Sequence, residues 1–340
     1  MTAAAALTKP GLGLAILVNA NAKRGHRRIA VELTRRLPGA HVRLSKRASE
    51  TDEWLRNLPA SRCVLAAGGD GTAIGLVGSM DRVYPREEPL LPPMGVLPLG
   101  TGNAWAHVTG ARKLGWCVER LARHDGPLPM RRFGLVEVEG VLTHFAGSGW
   151  DSEVLEDFRA QLEAAKGPSH RAAKSIYGYL SAVFLRTVPK NLLYGRPHVL
   201  VENLGDAVYV MRPSGAVEKL EVARPGTILY EGPAAVAGAA TCPEFGYRFR
   251  AYPFAERMLG LINVRVFHQH VLRAVPNIPR LWAGAHPLEG MHDWFCEHVR
   301  MTFSRPVPLQ IGGDACGMRR TVEYRIAPRT VQLLEWRRLR

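Results

Sequence analysis

Apolar and polar positions change period repeatedly along the first ~130 residues. Leu12–Val18 is a continuous apolar run of strand length, and the turn-rich Asn19–Gly25 follows it. Ile29, Leu33 and Leu37 then recur at helical spacing. Cys63–Ala67 and Met94–Leu97 are two further buried-strand candidates, and each runs into a glycine cluster. Strand, polar loop, helix, strand predicts an open parallel sheet with helices on both faces. In such sheets the loops after the strand C-termini build the binding crevice. Three loops occupy that position: Asn19–Gly25, Gly68–Thr72 and Gly100–Asn103.

From about Leu135 the texture changes to short alternating runs separated by Gly and Pro turns. The runs are Leu135–Val138, Val199–Glu202, Ala207–Met211, Ile228–Tyr230, Tyr247–Ala251, Asn263–Phe267, His298–Phe303, Thr321–Ile326 and Val331–Leu334. They predict an antiparallel β domain. One helical stretch interrupts them, Arg171–Val188, with Ile176, Tyr177, Leu180, Val183 and Phe184 along one apolar side. The pattern places an α/β domain at 1–134 and a β-rich domain at 135–340, and leaves open a return of the C-terminal end to the first domain. No internal repeat is visible.

A length of 340 residues suits two domains with a core each, and 46% hydrophobic with 22% charged residues is ordinary globular composition. The formal net charge of +15 attracts anions, whether nucleic acid, lipid headgroups or nucleotide phosphates, without choosing among them. Cys63, Cys117, Cys242, Cys296 and Cys316 form no CxxC pair, which fits a reducing compartment and neither a zinc site nor a disulfide framework. His268 and His270 would share one face of a strand, but no third ligand lies nearby in sequence, which argues against a metal there. No apolar run approaches the ~20 residues of a membrane span. The Ala-rich Met1–Ala6 lacks the basic start of a signal peptide. The expectation is a cytoplasmic protein whose membrane contact is peripheral.

The glycine clusters carry the chemistry. Gly68-Gly69-Asp70-Gly71-Thr72 follows a buried strand and opens a predicted helix. Glycines let backbone N–H groups approach a phosphate, and a helix N-terminus favours an anion. Asp70 can then hold Mg2+ or orient an attacking hydroxyl; the competing reading is a tight turn with a capping Asp. Pro98-Leu99-Gly100-Thr101-Gly102-Asn103 repeats the design, with Thr101 and Asn103 as phosphate or ribose contacts.

GGDGT followed about thirty residues later by PLGTGN resembles the catalytic domain of diacylglycerol, sphingosine and ceramide kinases and related bacterial lipid kinases. GGDGT is shared with NAD kinases; PLGTGN is not, and selects the lipid branch. Val18-Asn19-Ala20-Asn21-Ala22-Lys23-Arg24-Gly25 resembles the family's opening VNPxSGxG loop, with Ala20 where Pro is usual. Gly147-Ser148-Gly149-Trp150-Asp151-Ser152-Glu153-Val154 resembles GxGxDAxV, and Pro308–Asp314 resembles the late QxDGE element. The resemblance implies an NAD kinase/diacylglycerol kinase-like α/β nucleotide-binding domain, an antiparallel β-sandwich domain and a site in the cleft between them.

It also implies roles. ATP is held by Asn19, Asn21, Lys23, Gly68, Gly69, Asp70, Gly71, Thr72, Gly100, Thr101, Gly102 and Asn103. Asp151 organises the cleft. Asp314 and Asp70 are the candidate bases, and family position favours Asp314. Departures accompany these matches. Gly312 replaces the Asp of QxDGE, Asp314 stands where its Glu would be, and Ile74 and Gly75 replace the Asn and Glu that often follow GGDGT. Cys242–Tyr247 stands where many bacterial relatives bind a structural metal, and Phe245 cannot be a ligand to it. The implied activity is ATP- and Mg2+-dependent phosphorylation of a lipid hydroxyl, diacylglycerol by default. A sphingoid, ceramide or other long-chain alcohol is the alternative acceptor. The rivals are a catalytically weak nucleotide- or lipid-binding protein and an NAD kinase-like enzyme. The implied partner is a lipid at a membrane surface, on the inner face, with the Arg171–Val188 helix and its flanking Arg171, Lys174, Arg186 and Lys190 as the contact. No nucleic acid is expected, and a homodimer stays open.

Overall fold

The structure, a computed structural model, describes residues 13–20, 26–58, 63–100, 102–150, 152–153 and 195–339. Asn21, Lys23, Thr101, Asp151 and the predicted Arg171–Val188 helix lie outside the described residues. The chain divides into two units: residues 1–135 with 244–248 and 327–340, and residues 136–243 with 249–326.

The first unit alternates β1 (Leu14–Asn19), α1 (His26–Arg36), β2 (His41–Ser45), α2 (Ala48–Arg56), β3 (Cys63–Gly68), α3 (Asp70–Val83) and β4 (Met94–Pro98). Two helices, α4 (Ala104–Val108) and α5 (Leu114–Arg123), and strand β5 (Met130–Phe133) follow. The sheet is completed from the far end of the chain by Val331–Leu334, which is β18 in chain order. Its order is β2-β1-β3-β4-β18-β5. All neighbours are parallel except β18 and β5. β3 is buried along its whole length and β1 and β4 along all but their last residue, which explains why all three read as unbroken apolar runs. β2 at the edge alternates exposed and half-buried residues, so its run is short and charged.

α3 carries Gly71, Gly75 and Gly78, each costing roughly 1 kcal/mol of helix propensity relative to Ala. Burial of Ala73, Leu76, Val77 and Met80 offsets that, as does a forked ion pair from Arg82 to Asp52 of α2 at 2.9 and 3.0 Å. The β18 segment is tied down by Arg329, 3% exposed, which donates to Asp81 Oδ1 at 3.0 Å and to the carbonyls of Asp81, Pro85 and Glu88. Val331–Leu334 therefore belongs to the first sheet, the return of the C-terminal end that the sequence left open, although its pattern groups it with the β-rich runs. Pairing Leu333 with Met94 and Val331 with Phe133 settles this, and a four-residue apolar run does not carry that information.

The second unit holds β6 (Val136–Val138), β7 (Val141–Thr143), β8 (Phe145–Gly149), β9 (His198–Asn203), β10 (Val208–Met211) and β11 (Val217–Lys219). β12 (Ile228–Pro233), β13 (Val236–Ala240), β14 (Ile262–Phe267), β15 (Met291–Cys296), β16 (His298–Ile311) and β17 (Asp314–Ile326) follow, with short helices α6 (Val271–Ala274) and α7 (Ile278–Ala283). The strands form one antiparallel sheet, β11-β10-β15-β14-β13-β8-β16-β17-β6-β7, with β9 also on β16 and β12 on β9. β16 pairs with β9 through Val299–Phe303 and with β8 through Leu309–Ile311, and its register to β17 shifts between them. Such a shift bends a strand. One apolar cluster joins the sheet's parts, including Val138, Ala146, Val201, Val264, Trp294, Met301, Leu309 and Tyr324. On the opposite face of β14 and β15, beside the Tyr252 and Phe254 rings, Arg265 grips Asp293 through two bonds of 2.8 Å, and Asn263 donates to the same carboxylate at 3.1 Å.

Two sequence expectations change here. Tyr247–Ala251 is not a strand: Gly246–Arg248 forms a 3-10 turn in which Tyr247 and Arg248 take φ of 55° and 61°, which breaks extended pairing. His268 and His270 do not alternate on a strand, because β14 ends at Phe267. His270 instead caps α6, accepting from the Leu272 N–H, and His268 Nδ1 lies 3.0 Å from His292 Nε2.

Candidate functional site

The C-terminal ends of β1, β3 and β4 bring together Asn19, at the start of the first predicted loop, with Gly68–Thr72 and the described residues Gly100, Gly102 and Asn103 of the other two. Asn19 at the end of β1 donates from Nδ2 to Thr72 Oγ1 of α3 at 3.0 Å. The Gly68 carbonyl at the end of β3 accepts from the N–H of Leu99 at 2.9 Å and of Gly100 at 3.2 Å. The two glycine loops touch backbone to backbone. A Cβ on Gly100 would lie 2.3 Å from Gly69 Cα, and a Cβ on Gly68 would lie 2.2 Å from Thr72 Oγ1. Glycine is required at Gly100 by that backbone approach and at Gly68 by the Thr72 side chain packed over it. Asn103 closes the second loop with φ 59°, a conformation Asn tolerates, and its Nδ2 donates to the Gly100 carbonyl at 2.6 Å.

Asp70 is the first residue of α3 and sits beside the start of α4. A Cβ on Gly102 would come within 2.5 Å of Asp70 Oδ2. Asp70 Oδ1 is buried with no hydrogen-bond partner among the described residues. Burial pushes the carboxyl from the ordinary 3.8 up to about 6, against the N–H groups of Ala104, Trp105 and Asn103 and the neighbouring His107, which pull it down. A carboxylate that changes charge near neutral pH, with one oxygen unused, is suited to take a proton or face a cation.

A cavity of about 180 Å³ opens beside Asn19, Thr72 and Gly75 and is floored by the β2–α2 loop, Ser45, Lys46 and Arg47. A Cβ on Gly75 would meet nothing within 4 Å, so this glycine widens the cavity. The volume is below the ~300–1,000 Å³ of pockets that hold whole drug-sized ligands, so it serves as one compartment of a larger site. Ser45 fixes the loop, bonding the Arg47 carbonyl and Thr51 Oγ1, both at 2.9 Å. The Glu50 carboxylate accepts the Lys46 N–H at 2.9 Å, and that bond holds its carboxyl below the usual range. This basic loop was missed in the sequence, because β2 is a half-exposed edge strand without an apolar run. The signal present was Ser45 followed by Glu50 and Thr51 at the start of a helix.

A second missed group comes from residues 244–248, which join the first unit. Glu244 Oε2 lies 3.5 Å from His107 Nδ1 of α4, and a Cβ on Gly246 would lie 3.2 Å from Gly102 Cα. Asp314 belongs to the second unit, where Gly312 and Gly313, with φ of 59° and 89°, form the two-residue turn between β16 and β17. Both left-handed positions match the tightest hairpin turn, so Gly312 has a backbone role where a carboxylate was expected. Asp314 itself is exposed, and Gln310 Oε1 accepts the Gly313 N–H at 2.9 Å.

Residues 14–125 match the diacylglycerol kinase catalytic domain. This stretch contains all three loops and the cavity. Within it, 73 residues are 37% identical to "Diacylglycerol kinase 3" of Arabidopsis thaliana, covering 22% of this chain and 14% of that protein. A stretch of 64 residues is 45% identical to "Eye-specific diacylglycerol kinase" of Drosophila melanogaster, covering 19% of this chain and 4% of that one. The match thus spans less than a fifth of the length of either diacylglycerol kinase. The fold extends further. A putative diacylglycerol kinase from Bacillus anthracis str. Sterne superposes with a TM-score of 0.63 at 14% identity over 94% of both chains. A second diacylglycerol kinase structure from that organism gives 0.59 at 11% identity over 94% of this chain and 95% of its own. An α/β unit joined to an antiparallel β unit is therefore the fold of this chain.

Proposed function

We propose that this chain is an ATP-dependent lipid kinase that transfers the γ-phosphoryl group of ATP to a lipid hydroxyl. Diacylglycerol, giving phosphatidic acid, is the favoured acceptor. The observation that carries the reading is the convergence of Asn19, Gly68–Thr72, Gly100, Gly102 and Asn103 at the ends of three parallel strands, around a carboxylate whose pKa is raised to about 6. Phosphoryl transfer asks the protein chiefly for positioning and electrostatics. The glycine loops supply close backbone approach to the phosphates, and the cavity floored by Ser45–Arg47 takes the nucleoside end. Mg2+ enters with ATP as MgATP, held largely by phosphate oxygens and water as is usual for this ion.

In the transfer step the lipid hydroxyl oxygen bonds the γ-phosphorus, the bond to the β–γ bridging oxygen breaks and ADP leaves. The hydroxyl proton passes to a carboxylate. We assign it to Asp70, whose Oδ1 is unpartnered and whose pKa is raised into the useful range. Asp314, favoured by family position, is exposed in the second unit and is the alternative base. An insoluble acceptor requires the enzyme to meet a bilayer from the cytoplasmic side. No helix among the described residues is long and apolar enough to cross one. Turnover of radiolabelled ATP against a panel of diacylglycerol, ceramide, sphingosine and lipid-free micelles tests the reading. Phosphatidic acid is the expected product. ATP binding without any phosphorylated lipid would favour a nucleotide-binding protein instead.

A further inference from the structure

The helical stretch 271–283 runs from α6 through a 3-10 turn, Val275–Asn277, into α7 without a break. Its inner side is anchored: Val271 and Ala274 are buried, and Leu281 packs with Ala274 and Phe267. Its outer side is unusual for a helix in water. Leu272, Pro276, Pro279 and Ala283 are all exposed, at spacings of four, three and four, which sets them along one line of a helix. Leu272 is 64% exposed. A helix facing water carries polar residues on that line. α1 does so, exposing Val31 among Arg27, Arg28, Glu32, Thr34 and Arg35. From Val275 to Ala283, seven of nine residues are apolar, yet none is buried. Trp282 stacks on Phe249 at 5.1 Å, and both are half-buried.

Cations border the apolar line. Arg273 and Arg280 are exposed two turns apart. Arg250 is exposed beside the end of α7, where its N–H donates to the Trp282 carbonyl at 3.0 Å. Between Arg257 and Leu288 the sequence holds no Asp or Glu. The next acid, Glu289, lies 3.7 Å from Arg273 with both side chains exposed, so it offsets little of that charge. An apolar line with basic margins and a half-buried Trp suits the headgroup region of a bilayer, and anionic headgroups supply the complementary charge.

We propose that α6–α7 is the surface by which the second unit docks on a bilayer containing anionic lipid. The choice of partner rests on the lipid-acceptor reading above, and the contact is a described element separate from Arg171–Val188. Leu272, Pro276 and Pro279 enter the boundary between headgroups and acyl chains, while Arg250, Arg273 and Arg280 stay at the level of the lipid phosphates.

Co-sedimentation of the full chain with vesicles of phosphatidylcholine alone, and of an equal mixture with phosphatidylglycerol, tests the assignment. The proteins are the wild type, Leu272→Ser, and Arg273→Gln combined with Arg280→Gln. All three side chains are exposed, so both variants should melt with the wild type. The wild type should bind the mixed vesicles, and less so as salt rises. Loss of two cations should weaken that binding ~20-fold, at about 5-fold each. Leu272→Ser should weaken it ~5-fold or more through lost apolar burial. Turnover of a water-soluble short-chain diacylglycerol should be unchanged in both variants, while turnover of a long-chain diacylglycerol in mixed vesicles falls with binding. Equal vesicle binding by the wild type and both variants overturns the assignment. So does a wild type that ignores the mixed vesicles, whatever its turnover of short-chain lipid. Self-association that Leu272→Ser abolishes, with vesicle binding intact, gives the face to a second copy of the chain and overturns it too. Vesicle binding that falls in both variants, with no lipid phosphorylated by the wild type, upholds the docking surface and removes only the kinase reading.

Discussion

Replacing Asp70 by Asn should abolish turnover and at the same time stabilise the fold, by an amount that depends on pH. The carboxyl is pushed from the ordinary 3.8 to about 6, chiefly by burial. The folded protein thus prefers the protonated form. Asp70 favours folding below about pH 3.8, and that contribution is lost as pH rises through about 6. At 1.36 kcal/mol per pH unit, the gap amounts to about 3 kcal/mol against the ionised wild type near pH 8 and about 1 kcal/mol near pH 4.5. Asn has no charge to desolvate and escapes this cost, with its carbonyl free to accept the N–H groups at the start of α4. Urea unfolding of wild type and Asp70→Asn near pH 4.5 and pH 8 should give a stability difference that grows by about 2 kcal/mol between the two. Taking the difference between pH values removes any pH-independent effect of the amide. Turnover of the variant should drop ~100-fold or more, as expected for loss of a general base. A stability difference that is flat with pH, or that grows toward acid, would refute the claim that burial governs this carboxylate.

Other outcomes follow from the same geometry. In the wild type, kcat/KM should rise with pH to a plateau with an inflection near 6, because the free enzyme needs Asp70 deprotonated; an inflection near 4 would move the base elsewhere. Asp314→Asn should retain turnover within roughly 10-fold, whereas a ~100-fold loss there with a mild Asp70→Asn effect would return the base to Asp314. Gly71→Asp, whose Cβ meets nothing within 4 Å, should fold normally but lose MgATP binding in calorimetry, since it sets a negative charge on the cavity wall. Gly100→Ala, whose Cβ would meet the Gly69 backbone at 2.3 Å, should lower stability by ~1–3 kcal/mol or more in urea unfolding. Asp293→Ala leaves Arg265 buried without its partner and should cost about 3–5 kcal/mol, while an apolar pair at both positions should cost far less.

Fold class and loop identity were legible in the sequence for different reasons. β1, β3 and β4 lie inside a parallel sheet, so burial on both faces writes an unbroken apolar run that no loop or surface helix shares. The glycines of the two loops were legible because close backbone approach tolerates no side chain, and the structure supplies the atoms that would collide. β2 and β5 were not legible: their residues are half-exposed or charged, and they owe their strand state to a neighbour's edge. The 247–251 stretch alternated like a strand, yet Tyr247 and Arg248 take left-handed backbone that breaks extended pairing, and the Gly246 beside them packs against Gly102.

What the sequence determined by itself was local: period, turn chemistry, and the residue types that a phosphate site needs. What only the tertiary structure decided was partnership and solvent. It placed Val331–Leu334 between β4 and β5 through Arg329, 248 positions from the Asp81 carboxylate it grips. It brought Lys46 and Arg47 beside Asn19 and Thr72, and it shielded Asp70 Oδ1 from water. Hydrophobic periodicity records whether a position is buried but not what buries it. A carboxylate's proton affinity depends on the water it loses and the dipoles it meets, and those come from chain distant in sequence.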